Sequence, residues 1–242
     1  METITANTFL NGRLTVNQPR EGYRFSIDAI LLADFVQCKN GQTIIDLGTG
    51  CGIIALMLAT RHPGVQLVGV EIQAALARAA AANVRANQLD ERIRILHQDI
   101  KALRIGHLPD PVHQVVCNPP YRRVKSGRIN PDRSKAAARH EIFAQLADFV
   151  DAAARMLQLA GRLSCIYPAE RLTDLIDHLR QANLEPKRLR MVHSKREEGA
   201  RLVLLNAVKG GRPGLAVEPP LVIYRADGAY TPEVARSFTF EH

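Results

Sequence analysis

The 242-residue chain predicts an α/β fold built on a doubly wound, mostly parallel sheet. Three observations predict it. Short β-branched runs alternate with longer helical segments through most of the chain. A glycine-rich loop, "DLGTGCG", joins one run to the helix after it. Acids stand at the ends of three successive runs: Asp46, Glu71 and Asp99. Strand–helix alternation is the pattern of βαβ units, whose helices cover both faces of a parallel sheet.

The elements follow in order. "TFLNGRLTVNQ" reads as strand, Asn-Gly turn, strand. "SIDAILLADFV" suits a short helix that Ser26 or Asp28 caps. "TIIDLG" is a buried strand and "CGIIALMLATRH" its helix; "VQLVGVE" is the second strand, ending on Glu71. The alanine-rich "IQAALARAAAANVRANQL" is a helix, since alanine has the best intrinsic propensity. "RIRILHQDI" and "QVVCNPPY" are the third and fourth strands. "EIFAQLADFVDAAARMLQLAG" is a long amphipathic helix that Gly161 closes. "RLSCIYP" is a strand and "AERLTDLIDHLRQANL" a helix; "KRLRMVH" and "RLVLLNAVKGG" then form an antiparallel pair at a sheet edge.

Composition narrows the class. At 46% hydrophobic the chain can bury a core. Its four cysteines (Cys38, Cys51, Cys117, Cys165) form no CxxC pair or metal spacing and predict buried free thiols. The N-terminus lacks the pattern of a signal peptide, and no apolar run approaches the ~20 residues that cross a bilayer; a soluble, cytoplasmic protein without a metal is the expectation. The net charge of +8 permits a polyanionic partner. Residues 122 to 139 hold seven Lys or Arg against one acid, and "PKRLRMVHSKR" (186 to 196) is a second basic stretch.

Glycines at 48, 50 and 52 let the chain turn tightly after Asp46 and approach a ligand closely. Ligands of open α/β sheets lie beyond the carboxyl ends of the strands. Ile53 stands where a dinucleotide fingerprint needs its third glycine, which argues against a nicotinamide cofactor. Glu71, 19 residues past Gly52, is placed to accept both ribose hydroxyls, and Asp99 to accept an adenine amino hydrogen.

This loop and its acids resemble the class I S-adenosylmethionine-dependent methyltransferases. The resemblance implies a Rossmann-like, seven-stranded sheet with an antiparallel pair at the C-terminal end and a small N-terminal hairpin. It also implies S-adenosyl-L-methionine held by Asp46, Gly48, Gly50, Gly52, Glu71, Asp99 and Asn118. "NPPY" at the end of the fourth strand resembles the amino-methyltransferases, which act on planar nitrogens. Asn118 and the Pro119 carbonyl would each accept an N–H of such a nitrogen, and Tyr121 would offer a stacking face worth roughly 1–3 kcal/mol for a base. The substrate alternatives are adenine in RNA, a protein glutamine as in the release-factor enzymes, and a base in DNA. A different class remains, an RNA-binding module without catalysis.

"YRFSIDAILLADFV", "NPPY", "AARHE", "PKRLRMVHSK" and "NAVKGGRPGL" are similar to the bacterial tRNA1(Val) (adenine-N6)-methyltransferase family. That similarity implies N6-methylation of an adenine next to the anticodon, with residues 25 to 34 over the cofactor. Arg122, Arg123, Lys125 and Arg128 would hold phosphates, and the tRNA would lie on the basic loop 122–139 and the basic stretch 186–196. His140 and Glu141 begin the next helix. The expected organisation is one methyltransferase domain over 1–242: a hairpin extension (1–27), a catalytic core (28–210) and a tail (211–242).

Overall fold

The computed structural model describes residues 4–19, 26–108, 111–121 and 145–239. An N-terminal hairpin, β1 (Ile4–Phe9) and β2 (Leu14–Pro19), precedes α1 (Ile27–Phe35). The alternating core then runs β3 (Thr43–Leu47), α2 (Ile53–Arg61), β4 (Gln66–Glu71), α3 (Ala74–Ala86), β5 (Ile93–His97), β6 (Gln114–Cys117), α4 (Leu146–Met156), β7 (Arg162–Pro168) and α5 (Leu172–Gln181). β8 (Leu184–His193), β9 (Ala200–Lys209), two-residue strands β10 (Ala216–Val217) and β11 (Leu221–Val222), and α6 (Pro232–Arg236) complete it.

The main sheet has the order β10-β8-β9-β7-β6-β3-β4-β5, with β11 also on β8. Seven of its strands are long; β10 and β11 are additions from the tail. β3 to β7 are parallel, and β9 inserts antiparallel between β7 and β8. Successive strand residues face opposite sides, so Ile44 and Ile45 enter different cores. Ile44, Val116 and Ile166 meet α1, α2 and the hairpin. Ile45, Val115 and Leu163 meet α4 and α5.

Several expectations need correction. Neither Ser26 nor Asp28 caps α1 through its side chain; Asp28 is drawn to a distant partner instead. Within the described residues α4 stops at Met156, because Leu157 turns extended (φ −64°, ψ 137°), and Ala160, not Gly161, takes the left-handed conformation (φ 61°). Gly161 is small for another reason: a Cβ there would lie 2.8 Å from the Gln158 carbonyl oxygen. The hairpin turn spans Leu10 to Arg13, and Leu10 and Asn11 share left-handed φ with Gly12. The β8–β9 pair does not form the sheet edge, since β10 and β11 lie against β8.

The basic β8 stretch explains that covering. Arg188 pairs with Glu218 and stacks its guanidinium over Phe35, and Arg190 bonds the Pro219 carbonyl and Glu233. Lys187 donates to the Arg212 carbonyl. These cations hold the tail down, which leaves Lys195 and Arg196 as the exposed bases of the stretch.

Candidate active site

Strand register brings the sequence-predicted residues to one edge of the sheet. Leu47 on β3 lies opposite Val70 on β4 and Cys117 on β6. Gly48, Glu71 and Asn118 therefore leave three adjacent strands at the same level. His97 of β5 pairs with Glu71, so Asp99 follows two residues beyond that level. All of them lie at or just beyond the carboxyl ends of parallel strands, where open α/β sheets bind ligands.

The glycine loop folds under backbone constraint. Gly48, Gly50 and Gly52 have φ of 71°, 59° and 89°, values that L side chains adopt only at a cost. A Cβ on Gly48 would also sit 3.2 Å from the Phe149 ring of α4, and one on Gly52 would touch Ala80 of α3 at 3.4 Å. At these two glycines the missing Cβ thus serves packing of the loop between two helices, where the sequence suggested close approach to a ligand.

Glu71 organises the loop. Its Oε2 accepts the Gly50 N–H at 2.9 Å and its Oε1 accepts the Gln73 N–H at 2.9 Å. The residue is 5% exposed. An ionised carboxylate has about four acceptor sites, so each oxygen retains capacity for a hydroxyl. Ile72 beside it is 38% exposed, a large apolar side chain that the sequence reading passed over. Asp99 is not at the strand end: it caps a short 3-10 turn (Ile100–Ala102), its Oδ1 accepting the Lys101 N–H at 2.9 Å.

Asp46 is fully buried. The Thr49 hydroxyl donates to its Oδ2 at 2.6 Å, while Oδ1 finds no hydrogen-bond partner among the described residues. Burial pushes its carboxyl up to about 7; the Thr49 hydroxyl and the Ala55 N–H oppose that rise, and the nearby Glu71 charge adds to it. An orphaned buried acceptor beside a glycine loop calls for a donor. S-adenosylmethionine fits this set of acceptors. Its ammonium would satisfy Asp46, its ribose hydroxyls would use the remaining Glu71 lone pairs, and its adenine has apolar surface to place against Ile72.

Asn118 and Tyr121 meet at the tip of β6. The Tyr121 hydroxyl lies 2.8 Å from Asn118 Oδ1 and 2.8 Å from Asp28 Oδ2. Both Asn118 and Tyr121 are half-buried, Pro119 is buried and Pro120 is exposed. The Tyr121 ring packs edge-on to Tyr167, centroids 5.9 Å apart. Asp28 enters the site from α1, a role its helix-start position did not announce. Arg122, Arg123, Lys125, Arg128, His140 and Glu141 lie outside the described residues. Cys51, Cys117 and Cys165 are buried free thiols and Cys38 is half-buried. Among the described residues no cluster suits a metal ion, and no helix is long and apolar enough to cross a membrane.

Known proteins resemble this chain in sequence and in fold. A tRNA1(Val) (adenine(37)-N6)-methyltransferase of Actinobacillus succinogenes is 33% identical, covering 94% of this chain and 93% of its own. Its namesake in Porphyromonas gingivalis is 31% identical over 93% and 90%, and that of Tolumonas auensis 29% over 94% and 93%. Among solved structures, one described as a predicted O-methyltransferase from Agrobacterium tumefaciens superposes with a TM-score of 0.70 at 23% identity, covering 87% of this chain and 94% of that one. A geranyl diphosphate methyltransferase in complex with SAM gives 0.52 at 16% identity, over 75% and 84%. The family model for the methyltransferase small domain matches residues 25–172, from the start of α1 through β7. With relatives of this identity aligned over nearly its whole length, the chain belongs to the methyltransferase small domain family.

Proposed function

We propose that this methyltransferase transfers a methyl group from S-adenosylmethionine to N6 of an adenine in tRNA, next to the anticodon. The observation that carries the reading is the register that sets Asn118 level with Gly48 and Glu71 on adjacent strands. The relatives' name, tRNA1(Val) (adenine(37)-N6)-methyltransferase, supplies the substrate.

The chemistry required of the chain follows. Bound S-adenosylmethionine supplies an electrophilic methyl carbon. An exocyclic amino nitrogen is a poor nucleophile, because its lone pair is delocalised into the ring. Asn118 Oδ1 and the Pro119 carbonyl each accept one N–H, which holds the nitrogen in place and favours a pyramidal geometry. That is orientation combined with electrostatic preorganisation. Pro119 and Pro120 restrict the backbone so that both acceptors keep their aim. No strong base is required, since methylation makes the nitrogen's remaining protons acidic. The Tyr121 ring offers the base a stacking surface, and an anticodon-loop adenine is less costly to unstack than one in a duplex.

Arg122, Arg123, Lys125 and Arg128 would bind phosphates. From the second basic stretch, Lys195 and Arg196 are the exposed bases that would add phosphate contacts, because Lys187, Arg188 and Arg190 are committed to the tail.

The experiment is transfer of tritiated methyl from S-adenosylmethionine to total RNA and total protein from cells lacking the gene, followed by nucleoside analysis. The expected label is N6-methyladenosine in tRNA. Asn118→Ala should lower turnover about a hundredfold with cofactor affinity nearly unchanged. Label confined to protein, or full activity of Asn118→Ala, would overturn the reading.

A further inference from the structure

We propose that Asp28 is a positioning residue that draws the Tyr121 hydroxyl hydrogen away from Asn118, leaving the Asn118 amide oxygen available to the target amino group. This inference rests on the function just argued. The Tyr121 hydroxyl carries one hydrogen and stands 2.8 Å from two acceptors, Asn118 Oδ1 and Asp28 Oδ2. Both distances are those of a true O–H···O bond, yet one hydrogen cannot point at both.

The two acceptors differ in strength. An ionised carboxylate is the stronger, since charge-assisted bonds are roughly twice as strong as neutral ones. Asn118 Oδ1 is the atom that the target N–H must reach. While it accepts from Tyr121, part of its electron density is spent on a phenol. With Asp28 present the hydroxyl rotates toward the carboxylate, and an amide oxygen 2.8 Å from the phenol oxygen is then repelled, so the Asn118 amide flips and its oxygen turns to the target amino group. The Tyr121 oxygen then offers a lone pair, not a hydrogen, and the flipped Asn118 amide donates its NH2 to it. The triad thereby fixes the amide rotamer that presents oxygen to substrate.

The placement is not a by-product of helix capping. Asp28 lies in the first turn of α1, where an acid ordinarily serves the backbone N–H groups, but no side-chain cap bond forms there. Instead the contact spans 93 residues of sequence. α1 is buried from Ala29 to Ala33 and packs on α2 and β7, so the carboxylate is presented from a rigid element, which positioning demands.

A double-mutant cycle tests this. Turnover on tRNA and KM for S-adenosylmethionine are measured for wild type, Asp28→Ala, Tyr121→Phe and the double variant. Asp28→Ala should lose about tenfold or more in kcat with the cofactor KM within about threefold. In the Tyr121→Phe background the same substitution should cost no more than about twofold, because no hydroxyl remains to block Asn118. Asp28→Asn, whose neutral amide oxygen competes with Asn118 on equal terms, should recover only part of the loss. Urea unfolding of the same four proteins without ligand reads the contact directly, and the midpoint shifts should be non-additive. Losses in kcat that multiply across the cycle would overturn the proposal while leaving the methyltransferase reading intact, as would additive unfolding shifts. A wild-type protein that methylates no RNA would remove the reading beneath it, and the inference with it.

Discussion

The Gly50 N–H donates to Glu71 Oε2 at 2.9 Å, tying the glycine loop of one strand to the acid that ends the next. The same carboxylate takes the Gln73 N–H through its other oxygen. Glu71 is thus both a proposed ribose acceptor and a brace that shapes the loop.

That double duty predicts how its variants differ. Glu71→Ala removes the acceptors of two backbone donors, and each donor left unsatisfied in a buried setting costs about 1–3 kcal/mol. Both thermal stability and S-adenosylmethionine affinity should fall. Glu71→Gln keeps one oxygen for Gly50 or Gln73 but places an amide NH2 against the other. Its affinity should fall at least about tenfold, with a smaller stability loss than in Glu71→Ala. Calorimetric titration paired with urea unfolding checks both; equal affinity for Glu71→Gln and wild type would remove the ribose role.

Asp46 predicts a pH dependence. Its folded carboxyl, raised to about 7 from 3.8 by burial, binds protons that the unfolded chain has released over the interval between those values. The folded state therefore binds more protons there, and stability falls as pH rises from about 4 to 7, by on the order of a few kcal/mol. Asp46→Asn should lose this slope and gain on wild type from pH 5 to pH 8 in urea unfolding. Cofactor binding should run the other way. An ammonium beside Oδ1 favours the ionised carboxylate, so affinity should rise by roughly an order of magnitude between pH 6 and pH 8, and the rise should vanish in Asp46→Asn. A flat titration in wild type would separate Asp46 from the cofactor.

The glycine loop predicts an asymmetry between two alanine variants. Gly48→Ala meets both a left-handed φ of 71° and the Phe149 ring at 3.2 Å. Gly52→Ala meets φ of 89° but only ordinary contact with Ala80 at 3.4 Å. Left-handed strain alone costs on the order of 1–3 kcal/mol, so both should destabilise, Gly48→Ala more. Adding Phe149→Leu should recover part of the Gly48→Ala loss and none of the Gly52→Ala loss, as read by thermal midpoints.

What was legible in the sequence was local. The β-branched runs of β3, β4 and β7 and the alanine-rich α3 declare themselves by period and propensity, and the loop motif falls where register puts it. Contacts between distant segments were not legible. Asp28 in a helix's first turn reads as a cap until Tyr121, 93 residues on, draws it away. The arginines of β8 read as a nucleic-acid surface until Glu218 and Glu233 are folded onto them. β10 and β11 are two residues each, too short for any period, and exist only because β8 offers an edge. The arginines of "YRRVKSGR", proposed to bind phosphates, lie outside the described residues.

The last prediction concerns a pair of amides that the alanine-rich run concealed. Asn83 near the end of α3 and Asn87, the residue that caps it, lie four apart, hence on one side of the helix end. Asn83 accepts the Asn17 N–H at 2.9 Å and donates to the Asn17 carbonyl at 2.9 Å; Asn87 does the same for Thr15, at 2.9 and 2.7 Å. The two side chains stand in for a neighbouring strand along β2. Asn83 also donates to the Cys51 carbonyl at 3.0 Å, inside the glycine loop, and is fully buried. Either variant to alanine should therefore speed hydrogen exchange in the hairpin. Only Asn83→Ala also leaves a loop carbonyl without its donor, so only it should weaken S-adenosylmethionine binding, by several-fold, as well as cost about 2–4 kcal/mol in stability for its lost buried bonds. Exchange mass spectrometry and calorimetric titration of the two variants decide the point: equal cofactor affinity in both would mean that the hairpin's anchor and the glycine loop are energetically independent, despite sharing one side chain.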